Sequence, residues 1–138
     1  MNRPLTPKER LKQVAAMDCR LKLEREKLER LRAAVEYRSP SFEGAGGGSD
    51  KSDAVSRLIE MEQRYDKLAA EYIALYDETD TLIKAVDGGV LSEVLERRYL
   101  LYQQWTDIAE AMNYTVRHIT RLHGEALKKM SINVLECP

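Results

Sequence analysis

The sequence predicts an all-α protein in which a long antiparallel helical hairpin precedes a small C-terminal domain of three helices. Two long stretches free of Pro and Gly carry apolar residues at alternating spacings of three and four, as amphipathic helices do. Breaks rich in Gly follow them, at residues 39–52, which also hold Pro, and at residues 87–89. The predicted domains are therefore residues 1–87 and residues 88–138.

The first helix is expected over residues 8–37, with Pro7 in its first turn and Thr6 as its cap. Asp18 and Arg25 fall where the apolar stripe would continue, so the seam is thin. Its basic residues are typical of a solvated face, and contact with nucleic acid is the less common alternative. The apolar stripe consists of Leu11, Val14, Leu21, Leu28, Leu31 and Val35.

The second helix is expected over residues 53–86, after a loop, 39–52, whose Gly44–Gly48 cluster should not support a helix. Its stripe keeps heptad spacing, but Glu62, Thr79 and three tyrosines make the seam polar. The stripe consists of Val55, Leu58, Glu62, Tyr65, Ala69, Tyr72, Tyr76, Thr79, Ile83 and Val86.

Charge is segregated along the chain although the total is only −1. Residues 1–38 hold eleven Lys and Arg against six Asp and Glu, a net +5, whereas residues 39–90 hold five against eleven, a net −6. The two long helices are therefore suitable antiparallel partners. Pairing within one chain and pairing between two chains both remain open.

The C-terminal pattern begins with a helix expected at about residues 90–102, joined to the hairpin by the Gly-rich turn at 87–89. Arg97 and Arg98 lie beside its apolar stripe, where they could touch phosphates. That stripe consists of Val90, Leu91, Val94, Leu95, Tyr99 and Tyr102.

Two shorter helices follow. Asn113 suits the left-handed conformation of a tight turn, and Thr115 can cap the helix after it. Ala109 is small where two helices must cross, so Ala109, Asn113 and Ile119 have the spacing of a helix-turn-helix. The inward stripe of both helices consists of Trp105, Ile108, Ala109, Met112, Val116, Ile119 and Leu122.

Basic and polar residues on the last helix are the candidate DNA-binding set, because the second helix of such a motif enters the major groove. Arg pairs bidentately with guanine, and Thr contacts a base or a thymine methyl. Any three-helix bundle shows a similar pattern, and its arginines are then simply solvated. The two histidines are too far apart for a metal pair on one face and are expected at the surface or rim. The candidate residues are Thr115, Arg117, His118, Thr120, Arg121, Lys128 and Lys129.

Three segments of this region resemble region four of bacterial sigma factors. They are the Leu-x-x-Arg-Tyr opening at residues 95–99, the Trp-x-x-Ile-Ala run at 105–109 and the Ala-Leu-Lys-Lys close at 126–129. With its helical N-terminal half, the whole chain is similar to the ArpU- or RinA-like transcriptional regulators of phages and prophages. The resemblance implies that Val116, Arg117, Thr120 and Arg121 face DNA.

One position departs from the sigma-type pattern. Gln104 stands where those sequences often have a Ser or Thr cap just before the Trp. Gln is the weaker cap, so Thr106 is the expected replacement and the helix is expected to begin late.

Several classes of protein are not expected from the composition. There is no apolar run of about 18 residues and no secretory core, and Cys19 and Cys137 lack CxxC spacing, which indicates free thiols in a cytoplasmic protein. The Gly-rich run at 44–48 follows no predicted strand, so it is not a phosphate loop. No catalytic constellation is visible, and neither an enzyme, a cofactor nor a metal is expected.

The sequence therefore predicts a phage-type, sequence-specific transcriptional regulator that binds double-stranded DNA through its C-terminal motif. A homo-oligomer is expected, with Tyr65, Tyr72 and Tyr76 presented to a second copy. The alternative is a protein-interaction adaptor that contacts RNA polymerase, or a small phage DNA-packaging subunit.

Overall fold

A computed structural model describes residues 5–38 and 48–136, and every regular element in these ranges is a helix. The all-α prediction is therefore confirmed for the part of the chain described. None of the described helices is long and apolar enough to cross a membrane. The elements are α1 (Pro7–Arg38), α2 (Gly48–Asp87), α3 (Val90–Leu95), a π-helical turn (Glu96–Leu100), α4 (Trp105–Met112) and α5 (Val116–Glu136).

The chain divides into two compact units, and both long helices contribute to each. Unit 1 comprises Met1–Met17 and Ile73–Pro138, and unit 2 comprises Asp18–Tyr72. The predicted domains, residues 1–87 and 88–138, concern which parts fold independently, and that division stays a prediction.

The start of α1 is fixed by a reciprocal cap. The backbone N–H of Glu9 donates to Thr6 Oγ1, and the N–H of Thr6 donates to Glu9 Oε1, each at 3.2 Å. Pro7 occupies the first helical position, where its missing N–H costs nothing. The predicted Thr6 cap is confirmed, and Glu9 completes it as a capping box.

In unit 1 the two long helices bury part of the predicted stripes. Leu11 and Val14 of α1 are fully buried, as is Ile83 of α2. Arg10 Nη2 of α1 also lies 3.1 Å from Glu78 Oε1 of α2. Part of each predicted apolar stripe is therefore buried in this unit, while an apolar seam between the two helices stays a prediction.

In unit 2 polar side chains join the two helices. Arg25 Nε donates to Tyr65 Oη, and Arg32 Nη2 donates to Glu62 Oε1, both at 3.2 Å. Higher numbers on α1 meet lower numbers on α2, so the helices run in opposite directions here. Two of the positions that interrupt the predicted apolar stripes, Arg25 and Glu62, thus form hydrogen bonds between the helices.

Two predicted boundaries were wrong. Helix α2 begins at Gly48 rather than at Asp53, so residues 48–52 of the predicted loop are helical, while 39–47 lie outside the described residues. The first N–H groups of a helix need no intrahelical partner, which makes Gly tolerable there. The helix predicted over residues 90–102 leaves α geometry after Leu95.

The joint between α2 and α3 is closed by the Asp87 side chain. Its carboxylate accepts N–H hydrogen bonds from Gly89 at 2.7 Å, Ser92 at 3.0 Å and Leu91 at 3.1 Å. Burial opposes ionisation of this carboxyl, but these hydrogen bonds outweigh it and lower the pKa of Asp87. Although Gly89 is the N-cap residue of α3, the Asp87 carboxylate accepts its first N–H groups, a role that the sequence analysis missed.

Ser92 completes the joint from the other side. Its hydroxyl donates to the carbonyl of Ile83 at 2.7 Å and accepts from the N–H of Gly88 at 3.0 Å. Gly88 adopts a φ of +65°, which ends α2 as the Gly-rich turn predicted. The last turn of α2 and the first turn of α3 are consequently held by one hydrogen-bonded network.

The C-terminal helices enclose an apolar core. Helix α5 contacts both α3 and α4, and α4 also contacts the π-helical turn. Ala109 is buried among larger side chains, as expected for a position where two helices cross closely. The core consists of Val94, Ile108, Ala109, Ile119 and Leu122, with Leu91, Trp105 and Met112 packed against it.

Candidate nucleic-acid interface

The turn between α4 and α5 is a complete Schellman cap. Asn113 lies in the left-handed region, with φ 58° and ψ 42°. The N–H of Tyr114 donates to the carbonyl of Ala109 at 2.9 Å, and that of Asn113 donates to Glu110 at 3.3 Å. The predicted turn role of Asn113 is confirmed, and it directs the chain sharply into α5.

Thr115 starts α5 as predicted. Its Oγ1 accepts the N–H of His118 at 3.1 Å, and its carbonyl accepts the N–H of Ile119 at 3.0 Å. At the start of α4, by contrast, Gln104 is extended and makes no side-chain cap, yet the helix begins directly at Trp105. The expectation of a late start capped by Thr106 was wrong.

Most apolar residues of α5 are buried and most of its polar residues are exposed. Ile119 is fully buried and Leu122 is nearly so, whereas Val116 is 40% exposed. Val116 was also predicted to point inward from its spacing, which was wrong; the resemblance placed it outward. The exposed members of the predicted DNA-facing set are Thr115, Val116, Arg117, Thr120, Arg121, Lys128 and Lys129, and His118 is half-buried.

The predicted site residues form two groups on α5. The first group, from Thr115 to Arg121, lies on the capped first turns of the helix. Lys128 and Lys129 lie about 10 Å further along the helix axis. In residues 114–130 only Glu125 opposes the four basic side chains. The exposed side of α5 therefore carries a modest positive charge from Arg117 to Lys129.

Within the first group, one arginine is held and the other is not. Arg121 Nη2 lies 2.8 Å from His118 Nδ1, and the His118 ring meets the Tyr114 ring edge to face, with centroids 4.6 Å apart. Arg117 makes no side-chain hydrogen bond or ion pair with any described residue. Sequence analysis missed Tyr114, although its position just before the Thr115 cap was a usable signal.

Thr120 uses its hydroxyl proton within the helix. Its Oγ1 donates to the carbonyl of Arg117 at 2.9 Å. The hydroxyl oxygen can therefore still accept a hydrogen bond, but it has no proton left to donate. At a base edge Thr120 suits an amino group of adenine or cytosine, or a thymine methyl.

Behind the exposed face, His123 is buried, and its predicted place at the surface or rim was wrong. Its Nε2 lies 2.7 Å from Tyr99 Oη, and the Trp105 ring packs edge-on with centroids 4.8 Å apart. His123 follows Ile119 by four residues and precedes Ala126 by three, so helical spacing already placed it on the apolar stripe.

Burial sets the protonation state of this cluster. Burial, followed by the positive charges of Lys8 and Arg98, lowers the pKa of His123 to about 4. Burial also raises the pKa of Tyr99, and Arg98 opposes that shift. Both rings are consequently neutral near neutral pH, and they hold α5 against the π-helical turn without carrying charge.

Arg97 and Arg98, the two arginines predicted to lie near phosphates, both have partners within the protein. Arg98 lies 4.2 Å above the Trp105 ring and donates through Nη1 to the carbonyl of Gln103 at 3.0 Å. Arg97 Nε donates to Glu93 Oε2 at 2.8 Å. Contact with phosphate stays a prediction, and either guanidinium would have to share its hydrogen bonds.

Residues 5–38 and 48–136 contain no group of three or more His, Cys, Asp or Glu side chains that could hold a metal ion. Cys19 is a free, exposed thiol, and Cys137 lies outside these ranges.

Comparisons with known proteins return nothing for this chain: no family model, no curated protein and no solved structure matches it.

Proposed function

We propose that this protein is a sequence-specific DNA-binding transcriptional regulator of the phage type. In this proposal α4 and α5 form a helix-turn-helix that reads double-stranded DNA, and the sigma-like resemblance of residues 95–129 points the same way. One observation carries the proposal: a Schellman turn and a Thr cap begin a helix whose buried face is apolar and whose exposed first turns bear Arg117, Thr120 and Arg121.

The geometry suits the major groove for physical reasons. The groove admits one α-helix, and side chains on its N-terminal turns reach the base edges. Arg117 and Arg121 are four residues apart, so they project from the same side of α5. Arg pairs bidentately with guanine, while Lys128 and Lys129 suit phosphates further along the groove.

The two long helices support a role in assembly. A helix-turn-helix with few phosphate contacts binds DNA weakly alone, and linking two raises the apparent affinity without new contacts. The proposal is that α1 and α2 form a hairpin that brings two copies together on a repeated or palindromic site. Tyr65, Tyr72 and Tyr76 are half-buried, which leaves part of each ring for a second copy.

A protein-interaction adaptor is the second candidate, and one observation favours it. Leu101 is 58% exposed and Tyr102 38% exposed, side by side at the end of the π-helical turn. Two adjacent exposed apolar side chains suit a protein surface, such as that of RNA polymerase or a phage DNA-packaging complex, better than a phosphate backbone.

Selection from a random pool of DNA duplexes tests the first candidate. We expect the full chain to enrich one motif, with two half-sites if the chain is an oligomer. Replacing Arg117 or Arg121 with Ala should cost about 1–3 kcal/mol on that motif and relax preference at one base pair. Arg57→Ala, which removes an exposed arginine from α2, is the matched control.

Two outcomes would count against the proposal. If no motif is enriched, the chain does not read DNA sequence and the adaptor becomes the leading function. If the two variants lose the same affinity for the motif and for random DNA, the arginines contact only phosphates. Sedimentation of the full chain at two concentrations, beside DNA titrations of the full chain and of residues 88–138, tests the role of the hairpin. A strictly monomeric full chain, or a fragment that binds equally tightly, would remove that role.

A further inference from the structure

We propose that His118 and Tyr114 are positioning residues for Arg121, so that Arg121 discriminates between bases more sharply than Arg117. This inference rests on the proposed DNA-binding function, because it concerns how the side chain of Arg121 on that same surface is held in place before DNA binds. The relevant observation is a chain of three exposed or half-exposed side chains at the start of α5. The Tyr114 ring packs against the His118 ring, and His118 is hydrogen-bonded to Arg121.

The hydrogen bond fixes the state of the His118 ring. A guanidinium stays protonated in proteins and only donates, so Nδ1 of His118 must be the acceptor. The ring is therefore neutral in this arrangement, with its proton on Nε2. A doubly protonated ring would have no acceptor and would repel Arg121. The contact is thus specific to one tautomer of one residue.

Tyr114 restricts the ring that makes this bond. Its ring meets that of His118 at an interplanar angle of 65° and a centroid distance of 4.6 Å. Edge-to-face contacts of this kind are favourable beyond the area that they bury. Tyr114 is itself fixed at the backbone, where its N–H closes the Schellman turn on Ala109. The chain of contacts therefore begins at the turn and ends at Arg121.

The hydrogen bond leaves Arg121 able to bind a base. A guanidinium carries five N–H donors in a planar fork, and one is used on His118. The remaining donors include pairs that match the two acceptors of guanine in the major groove. Holding the fork in place before binding reduces the side-chain freedom lost on binding, which improves affinity for the ligand that fits the held position.

Arg117 provides an internal comparison. It lies on the same side of α5, four residues earlier, and has no hydrogen-bond or ion-pair partner among the described side chains. Its side chain must be ordered by the DNA itself, so that binding loses more side-chain freedom. A free arginine also reaches several acceptors, phosphates included, and discriminates less between bases. The two arginines should thus differ in selectivity although they share a helix and a charge.

A double-mutant cycle on the selected DNA motif tests the inference. We expect His118→Ala to lower the preference for the base pair read by Arg121 about three- to tenfold, the worth of one hydrogen bond. His118→Asn should restore most of that preference, because Asn Oδ1 takes the place of Nδ1 as an acceptor. In the Arg121→Ala background, His118→Ala should have no further effect on preference.

Arg117 supplies the control cycle. His118→Ala combined with Arg117→Ala should give the product of the two single losses, since no contact joins these residues. Tyr114→Ala should give a smaller loss than His118→Ala, while Tyr114→Phe should behave as wild type because the ring contact remains. Equal coupling of His118 to both arginines, or a loss in His118→Asn as large as in His118→Ala, would overturn the positioning role.

A measurement without DNA separates this inference from the proposed function. Nitrogen chemical shifts of the His118 ring in the full chain should show an unprotonated Nδ1 and a protonated Nε2, and Arg121→Ala should alter them. If DNA binding is sequence-specific but the shifts show the opposite tautomer, positioning fails while the function stands. If the tautomer is as expected but no motif is enriched, the DNA-binding proposal fails, and the selectivity assigned to Arg121 fails with it.

Discussion

The C-terminal core and the paired helices of unit 2 are held by different forces. In the core, Ile108 and Ile119 are fully inaccessible and belong to one packed cluster. In unit 2, Leu21 and Leu28 are the only buried apolar side chains among its described residues, and the hydrogen bonds between its two helices are exposed. Burial of apolar area stabilises a fold far more than exposed polar pairs do. We therefore expect the C-terminal core to be more rigid than the paired helices of unit 2.

The largest expected effect comes from removing side-chain volume from the C-terminal core. Ile108→Ala should destabilise the protein by about 2–5 kcal/mol, because lost burial adds to an unfilled cavity. Ile59→Ala makes the same chemical change at a position of unit 2 that is 50% exposed, and should stay within about 0.5 kcal/mol. Urea unfolding followed by circular dichroism measures both. Similar losses would erase the contrast between the two regions.

Overpacking the crossing point of α4 and α5 comes next. Ala109→Leu should destabilise by about 1–3 kcal/mol, since the added methylenes force the helices apart. Ala111→Leu, on the exposed side of the same helix, is the matched control and should be nearly neutral. A thermal melt of Ala109→Leu that matches wild type would show that the two helices do not meet at this residue.

Acid should weaken the C-terminal core through His123. Its pKa is about 4 in the folded protein and about 6.5 when unfolded, so the unfolded state gains a proton first as pH falls. The loss in the free energy of unfolding begins below about pH 6.5, reaches about 2 kcal/mol at pH 5 and is complete below about pH 4. Asp87 also titrates in acid, so the test compares unfolding of wild type with His123→Gln.

The difference in the free energy of unfolding between wild type and His123→Gln should vary with pH over that window only if His123 is neutral in the folded protein. A constant difference between pH 7 and pH 5 would contradict the burial of a neutral ring.

The smallest expected effect is in unit 2. Glu62→Gln removes the ion pair with Arg32, whose two side chains are about half exposed, and should cost no more than about 0.5 kcal/mol. The loss should shrink further at high salt because exposed charges are screened. Glu60→Gln, on the same helix with no described ion pair, is the control. A loss as large as that of Ile108→Ala would mean that polar pairs hold unit 2.

The sequence was most informative where one residue has one physical use. Asn113 in a left-handed turn and Thr115 as a cap were predicted from residue type and spacing, and both are confirmed. Ala109 is buried in the core, and its place at a helix crossing stays a prediction. The turn and the cap depend on neighbours within about five residues, which spacing encodes directly.

Features that depend on distant partners were missed. The residue types at Glu96–Leu100 do not indicate a π-helical turn. The turn is followed by Tyr102, whose φ is 57°, and by a hydrogen bond from the N–H of Gln103 to the carbonyl of Arg97. Helical spacing places His123 on the apolar stripe of α5, but it does not reveal the polar partner of the buried ring, Tyr99, which lies 24 residues earlier.

The fluorescence of Trp105 can report on the packing around His123. Trp105 is the only tryptophan in the chain, and it contacts His123 along one edge and Arg98 across its face. Indole emission therefore reports on a single location, where α4, α5 and the π-helical turn meet. Because a protonated imidazole quenches indole fluorescence, the same signal would also show when His123 takes up its proton. The chain thus carries an intrinsic fluorophore beside α5, its proposed DNA-binding helix, and the emission is sensitive both to unfolding and to acid.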